Sequence, residues 1–471
     1  MPSTFPESLR TDLRAILGAG NYIEGGDSLT SLSQDFNWYS PILKPQLTDL
    51  RADAIAQPGT VEELRAVIAA CYQAGVAITA RGGGTGNYGQ CVPLHGGVVV
   101  DLVRLNRLIA LADGVVRAEP GLRLGTLETA ARAAGWEMRC MPSTWMKSTL
   151  GGFICGGSGG IGGIRWGGIS AEDNVKSVTL LTCEASPQFI RLEERAAVPS
   201  FRTYGTTGIM VEIEMRLAPA IAYDQLAFSS ANWETLLAWN DAAARRGTWR
   251  KRQVAQFQWP IPSYFKPLRK YFRDGEHVGF VLIDRGQAAE VIAAAETAGL
   301  ACVFHQPLSD PPKPPFLSDY TWNHTTLWAI KSDPAITYLQ SGFGPNFREQ
   351  FAELERRFPG EILLHLEWLA SDPKRSVGPD ASPDSIIVCG IPLVRYRDEA
   401  RLNEITACCT QIGIGLNNPH TFRVEESGRI QNLPAKLALK AQVDPRGLLN
   451  PGKMATFPVS PFTSAPARPS L

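Results

Sequence analysis

Apolar residues at Leu64, Val67, Ile68 and Cys71 recur at spacings of three and four, which puts them on one face of a helix. Thr60 and Glu63 form a capping box ahead of them and Gly75 closes the run, so the pattern predicts a helix over 60–75. The mostly apolar run over 76–80 predicts a short buried strand, and it leads straight into Arg81-Gly-Gly-Gly-Thr-Gly-Asn-Tyr-Gly89. No helix follows this loop, because Pro93 and the pair Gly96 and Gly97 interrupt the chain before a second apolar strand over 98–102. Further along, a helix is expected over 124–134 with Gly135 as its stop, then strands over 176–183 and 209–217, with Pro219 ending the region.

Between positions 151 and 168 ten of eighteen residues are glycine, a density expected to prevent stable helix or strand and to free the backbone for close approach to another group. Phe153, Ile154, Ile161, Ile164 and Trp166 are interleaved there, which argues against a solvated linker. Beyond 220 the character changes: seven of the eleven tryptophans fall between 221 and 425, within an alternation of strand and helix patterns. A half-buried strand is predicted over 254–259, another strand over 277–284 and an amphipathic helix over 287–299, together an α+β unit. His365 and Glu367 alternate along 362–368 and can share one strand face, with Glu367 expected at the surface. Pro311-Pro-Lys-Pro-Pro315 reads as a stiff connector, 433–442 as a helix, and the tail past 458 as disordered. The expected organisation is 1–220, 221–425, a C-terminal return over 426–458, and a tail over 459–471.

The whole chain is 471 residues, too long for one ordinary core, and its 44% hydrophobic and 20% charged residues suit a globular protein. Forty-six basic residues balance 46 acidic ones, which leaves no field to draw the chain onto nucleic acid or an anionic membrane. Met1 to Arg10 lacks the basic-then-apolar order of an export signal, and no run of about 18 apolar residues predicts a membrane span. The nine cysteines form no C-x-x-C pair, so reduced, buried thiols in a cytoplasmic protein are expected.

Two segments fit G-x-G-x-x-G by letter, at Gly84, Gly86 and Gly89 and at Gly157, Gly159 and Gly162. The first opens no helix, which excludes a Rossmann site, and neither ends in Lys-Ser or Lys-Thr, which excludes a P-loop. Consecutive amides without Cβ obstruction nonetheless make a nest for pyrophosphate oxygens, and two such segments suggest an extended dinucleotide. On this view a β-branched residue at Gly83 or Gly152 would displace the phosphates. The series Pro58-x-Thr60-x-Glu62-Glu63, Ala80-Arg-Gly-Gly-Gly-Thr-Gly86, Val98-Val-Val-Asp-Leu102, Ala118-Glu-Pro-Gly121, Pro142 leading to Gly151-Gly152, Gly205-Thr-Thr-Gly-Ile209 and Asp444-Pro with Asn450-Pro-Gly-Lys453 resembles the flavoproteins of the vanillyl-alcohol oxidase and p-cresol methylhydroxylase type. The resemblance covers about residues 50–220 and the last 40 or so, and it implies an α+β fold: a two-part FAD-binding domain with an α+β substrate, or cap, domain.

Carried over by position, the resemblance implies that Gly82, Gly83, Gly84, Thr85 and Gly86 bind the pyrophosphate, that Pro142, Ser143, Thr149, Gly151, Gly152, Gly156 and Gly157 line the flavin and its ribityl chain, and that Gly208 and Ile209 clasp the adenine end. Arg81, Gln90, Ser148, Cys155 and Asn450 are also expected at the cofactor, Cys155 as a small packed residue. Each glycine taken alone reads equally as a turn former. Relatives often attach flavin through a His after the first glycines or a Cys before the second loop; Gly84, Thr85 and Lys147 stand there, so non-covalent FAD is expected. Catalytic candidates are His324, in Tyr320-Thr-Trp-Asn-His-Thr-Thr-Leu-Trp328, and His420 and Arg423, in Asn417-Asn-Pro-His-Thr-Phe-Arg423. His324 reads either as a pocket wall or as a core histidine bonded to a carbonyl. His95 and Arg81 are expected to shape the first loop.

The FAD segments also resemble the glycolate oxidase D subunit and D-lactate or D-2-hydroxyglutarate dehydrogenases, but their clustered His metal motif is missing, so no metal is expected. The expected function is transfer of a hydride from a CH–OH carbon of a small organic substrate to flavin, with the electron acceptor open. A metal-free D-2-hydroxy acid dehydrogenase and a non-catalytic flavin-bearing subunit are the alternatives.

Overall fold

The computed structural model describes residues 5–157, 159–171, 173–309, 314–375, 382–428 and 432–457. Helix Val61–Ala74 forms as its pattern predicts. Thr60 Oγ1 accepts the Glu63 N–H at 3.1 Å, Glu63 Oε2 accepts the Gly59 N–H at 2.7 Å, and Gly75 takes a left-handed φ of +65°. Leu64, Val67, Ile68 and Cys71 are fully buried, each aliphatic side chain contributing about 1.5–3 kcal/mol. They cover a four-stranded sheet in the order Tyr22–Ile23, Ala54–Ala56, Val98–Asp101, Ile78–Arg81. Ile78–Arg81 and Val98–Asp101 are parallel neighbours joined by the glycine loop, with no helix between them.

A second sheet of six described strands follows the order Leu108–Ala112, Val115–Ala118, Ile209–Pro219, Val175–Leu181, Phe189–Glu193, with Trp136–Met138 also paired to Ile209–Pro219. Helix Leu124–Ala133 packs on it. The C-terminal segment returns to the first sheet: Leu448 C=O accepts the Ile78 N–H at 2.8 Å, and the Asn450 N–H reaches Ile78 C=O at 2.7 Å.

A sheet of eight described strands occupies the middle of the chain, in the order Ala301–Pro307, Tyr223–Ser230, His277–Asp284, Lys251–Phe257, His365–Ala370, Ile386–Gly390, Gln340–Gly342, Gly415–Asn417. One face buries Leu236, Phe351 and Ile405 from helices, while Phe265, Tyr320 and Tyr338 cover the other. This order corrects two expectations. Lys251–Phe257 is buried at every position rather than half-buried, and Glu367 is 0% exposed rather than at the surface. Both strands are central, so neither face meets water.

The glycine-rich stretch also differs from its expectation, since it holds two short helices, Leu150–Gly156 and Gly163–Trp166. Thr149 caps the first, its Oγ1 accepting the Gly152 N–H at 3.4 Å, and burial of Phe153, Ile154 and Ile164 offsets the poor propensity of glycine. Packing decides the local structure here. The first three residues of the proline-rich stretch, 311–313, and the tail past 457 lie outside the described residues.

The two parts are joined by a buried ion network. Arg252, from the large sheet, donates to Glu128 of helix Leu124–Ala133 at 2.8 Å and stands 4.0 Å from Glu137. Arg132 bridges the same two carboxylates at 2.9 and 2.6 Å, and the Tyr223 hydroxyl donates to Glu137 at 2.7 Å.

Candidate functional site

A cleft with about 740 Å³ of open space, mouth included, runs between the two glycine segments. Strand Ile78–Arg81 delivers one wall, Arg81, Gly82, Gly83, Gly84, Thr85, Gly86 and Gln90; Thr149, Gly151, Gly152, Cys155 and Gly156 form the other, and Gly208 and Ile209 close one end. Fourteen of the residues expected at the cofactor are thus brought together.

Five are not among the lining residues, and each has another visible task. Ser148 Oγ bonds Thr85 Oγ1 at 2.8 Å and Thr144 Oγ1 at 2.7 Å, which ties the two walls together. Asn450 Nδ2 reaches Gln90 C=O at 2.8 Å and Tyr204 C=O at 2.7 Å from behind the loop. Pro142 and Ser143 begin the turn leading to Thr149; Pro142 C=O accepts the Trp145 N–H at 3.0 Å. Gly157 lies beneath the side chain of Arg202.

Lining residues that sequence reasoning did not name as contacts are Ala80, Cys91, Leu102, Pro120, Tyr204, Gly205 and Met210. Ala80, Leu102, Pro120 and Gly205 lie within quoted motifs, so a signal existed. Cys91, Tyr204 and Met210 carried none.

The chemistry of the cleft suits a pyrophosphate. Among the described residues the backbone N–H groups of Gly83, Gly84, Thr85 and Gly86 meet no acceptor, and Gln90 Oε1, shut off from solvent, meets no partner. Four successive amides left open on a concave wall form an anion nest. Arg81 does not take up this role alone, because its Nη1 donates to Gln34 C=O at 2.6 Å and to Cys91 Sγ at 3.1 Å. Burial pushes the Cys155 thiol up to about 12, so it stays protonated and apolar in the wall.

The catalytic candidates lie apart from this cleft. His420 is held on both nitrogens, with Ser40 Oγ 2.8 Å from Nδ1 and Tyr338 C=O 2.9 Å from Nε2, and burial lowers it to about 4. A ring so engaged joins the N-terminal segment to strand Ile336–Tyr338, which belongs to a separate three-stranded sheet, and has no nitrogen left for a substrate. Arg423 points outward and donates to Glu426 at 2.8 Å. Neither residue lines the cleft.

His324 sits in the first turn of helix Asn323–Ser332, directly after Trp322, whose φ is +50°. It is half-buried, and burial lowers its imidazole to about 4 against a hydrogen bond to the Asp319 backbone, with the Lys331 and Lys147 charges adding to the lowering; the ring thus has the backbone partner expected of a core histidine. Lys147 follows on from the turn that meets the first glycine loop, and His324 is not among the residues lining the cleft. Trp322 brings the glycine stretch against this helix: a Cβ on Gly159 would lie 3.1 Å from its ring.

Behind it, Glu367 Oε1 accepts the Trp322 N–H at 2.9 Å and lies 3.0 Å from His365 Nε2, while Gln253 Nε2 donates to Oε2 at 3.3 Å. This polar group is wholly buried and holds the left-handed Trp322 in place. Replacing Glu367 with leucine is expected to destabilise the chain by about 1–3 kcal/mol through the stranded donors, read as a lower thermal midpoint.

A protein-family model described as an FAD binding domain matches residues 52–187, the span that carries both cleft walls. This span is an FAD-binding domain of the p-cresol methylhydroxylase type. FAD is the cofactor of this domain.

Among curated proteins the chain is 26% identical over 220 residues to an uncharacterized FAD-linked oxidoreductase of Mycobacterium tuberculosis, covering 44% of this chain and 45% of that one. It is 31% identical over 175 residues to a D-2-hydroxyglutarate dehydrogenase of Xanthomonas citri pv. viticola, covering 35% and 36%. The matches therefore span less than half the length of these relatives. Among solved structures, alkyldihydroxyacetonephosphate synthase superposes with a TM-score of 0.70 at 15% identity, over 96% of this chain and 86% of that one. That likeness gives the fold of the large sheet as well as the FAD-binding domain. Among the described residues no helix is long and apolar enough to cross a membrane, and no three His, Cys, Asp or Glu side chains are placed to hold a metal ion.

Proposed function

We propose that the protein is an FAD-dependent oxidoreductase that removes a hydride from the CH–OH carbon of a small organic substrate. The observation that carries it is the row of open amides at Gly83–Gly86 inside the matched FAD-binding span. Bound FAD supplies the hydride acceptor at its N5. Gly82 to Gly86 and Thr149 to Gly156 would hold its phosphates and ribityl chain without a covalent link, and Gly208 and Ile209 would meet the adenine end. The large sheet and helix Asn323–Ser332 form the substrate side. His324, held neutral at pH 7, accepts the hydroxyl proton as the hydride leaves.

Anaerobic mixing of the flavin-loaded protein with a panel of alcohols, hydroxy acids, aldoses and lactones tests this reading. Bleaching of the flavin absorbance by a member of the panel is the expected result, and protein that never takes up FAD would overturn it. A metal-free D-2-hydroxy acid dehydrogenase is the second reading, favoured by the similarity to D-2-hydroxyglutarate dehydrogenase; D-lactate, glycolate and D-2-hydroxyglutarate belong in the panel for that reason.

His324→Ala is expected to keep its flavin and lose turnover by about 10²–10⁴-fold. Its role also fixes a pH dependence. The imidazole is the active form when unprotonated, so the rate it limits falls as pH drops through about 4 rather than near the usual histidine value. Turnover in the alanine variant that matched the parent would remove His324 from the reaction.

A further inference from the structure

Five consecutive residues at the end of the first glycine segment are each bonded to a distant part of the chain. Gly86 C=O accepts the Phe36 N–H at 2.7 Å, and Gln90 C=O accepts Asn450 Nδ2 at 2.8 Å. Gly89 C=O accepts the ammonium of Lys453, a fully buried side chain. Between these, Asn87 Nδ2 donates to the Tyr338 hydroxyl at 2.6 Å, and the Tyr88 hydroxyl accepts from Gln340 Nε2. Asn87, Tyr88, Tyr338 and Gln340 are all buried.

The loop therefore has two aspects. Its amides at Gly83–Gly86 are open, while the carbonyls and side chains that follow them are fixed by other parts of the chain. The ties at Gly86, Gly89 and Gln90 come from the N-terminal segment and the C-terminal return. Those at Asn87 and Tyr88 come from the middle of the chain, from strand Ile336–Tyr338 of the three-stranded sheet and strand Gln340–Gly342 of the eight-stranded one. Tyr338 is itself locked, since its C=O lies 2.9 Å from His420 Nε2. Successive amides bind an oxyanion only while they keep a common curvature. Buried side-chain bonds have few alternative partners, so a shift of either strand is felt in that curvature.

We propose that Tyr338 and Gln340, acting through Asn87 and Tyr88, are positioning residues for the FAD nest, so that cofactor binding and the ordering of these two strands are linked. The inference rests on the reading that Gly83–Gly86 hold the cofactor's phosphates. Linkage is reciprocal: strand order that favours FAD is in turn favoured by FAD.

Hydrogen exchange of the whole protein is followed by mass spectrometry with and without saturating FAD, in the parent, Tyr88→Phe, Tyr338→Phe and the double variant. Each substitution removes one hydroxyl and keeps its ring. In the parent, FAD is expected to slow exchange both at 83–86 and at 338–342. The slowing at 338–342 is expected to shrink in each single variant and to vanish in the double variant, while that at 83–86 remains. FAD affinity falls by about two- to tenfold in each single variant. A merely structural role would lower the thermal midpoint and leave the FAD-dependent difference at 338–342 intact. Slowing at 83–86 without any at 338–342 in the parent, or undiminished slowing at 338–342 in both single variants, overturns the proposal. The single variants keep the test decisive if the double variant fails to fold. Exchange unchanged at 83–86 as well would instead defeat the FAD reading, and this inference with it.

Discussion

Gly83→Val is expected to be purified without flavin. A Cβ at this position would fall on the carbonyl oxygen of Lys147, inside any real contact distance, with the Lys147 carbonyl carbon only 3.2 Å away. The obstacle is backbone rather than the end of a flexible side chain, and Ser148 pins that backbone through Thr85 and Thr144. The two walls must therefore part, and the amides of Gly83–Gly86 lose their common curvature. An overpacking cost of about 1–3 kcal/mol weakens FAD binding by roughly fivefold to over a hundredfold.

Gly152→Ala should behave differently. Its Cβ would stand 3.0 Å from Thr149 Oγ1 and 3.9 Å from Gly82 Cα, a clash that a hydroxyl rotation relieves. Flavin-to-protein ratios after gel filtration separate the two variants, and equal retention in both would show that wall spacing does not govern the site. The sequence expectation treated both glycines alike, as space reserved for phosphate. In the fold, Gly83 lets one protein loop approach the other.

That difference illustrates what the sequence could convey. Helix Val61–Ala74 was legible because its cap, its apolar face and its stop are all local, and the same holds for strand Val98–Asp101 after the glycine loop. The order of glycine motifs marked most of the cleft for the same reason. Glu367 was misplaced because alternation along a strand says which residues share a face and not whether that face is covered; its cover comes from strands and helices elsewhere in the chain. Cys91, Tyr204 and Met210 reach the cleft as the next residues along from Gln90, Gly205 and Ile209, and their side-chain types alone gave no sign of which neighbours would face it. His420 was a candidate because it precedes the C-terminal return to the FAD-binding part, yet its partners Ser40 and Tyr338 are 380 and 82 residues away.

Arg252→Met should give the largest loss of stability, with the flavin cleft itself untouched. The guanidinium is 3% exposed between two carboxylates that are 4% and 2% exposed, so its removal leaves buried negative charge with Arg132 as the remaining cation. Breaking one partner of a buried pair costs about 3–5 kcal/mol. Adding Glu128→Gln to the same chain removes the stranded charge, so the double variant should be more stable than Arg252→Met alone, a reversal that simple loss of packing would not produce.

The pH dependence follows with the same sign. Burial opposes ionisation of Glu128, and the charges of Arg252 and Arg132 outweigh it, holding the carboxyl below its ordinary range. In the parent this stabilisation is complete above the unfolded carboxylate value of about 4.3 and is lost as pH falls through the lower folded value. In Arg252→Met burial prevails and the folded value rises above the unfolded one, so protonation relieves the variant while it harms the parent. Urea unfolding at pH 7.5 and 5 is therefore expected to show the gap between them narrowing on acidification. A gap that stayed constant or widened would mean that Arg252 acts through its bulk and not through its charge.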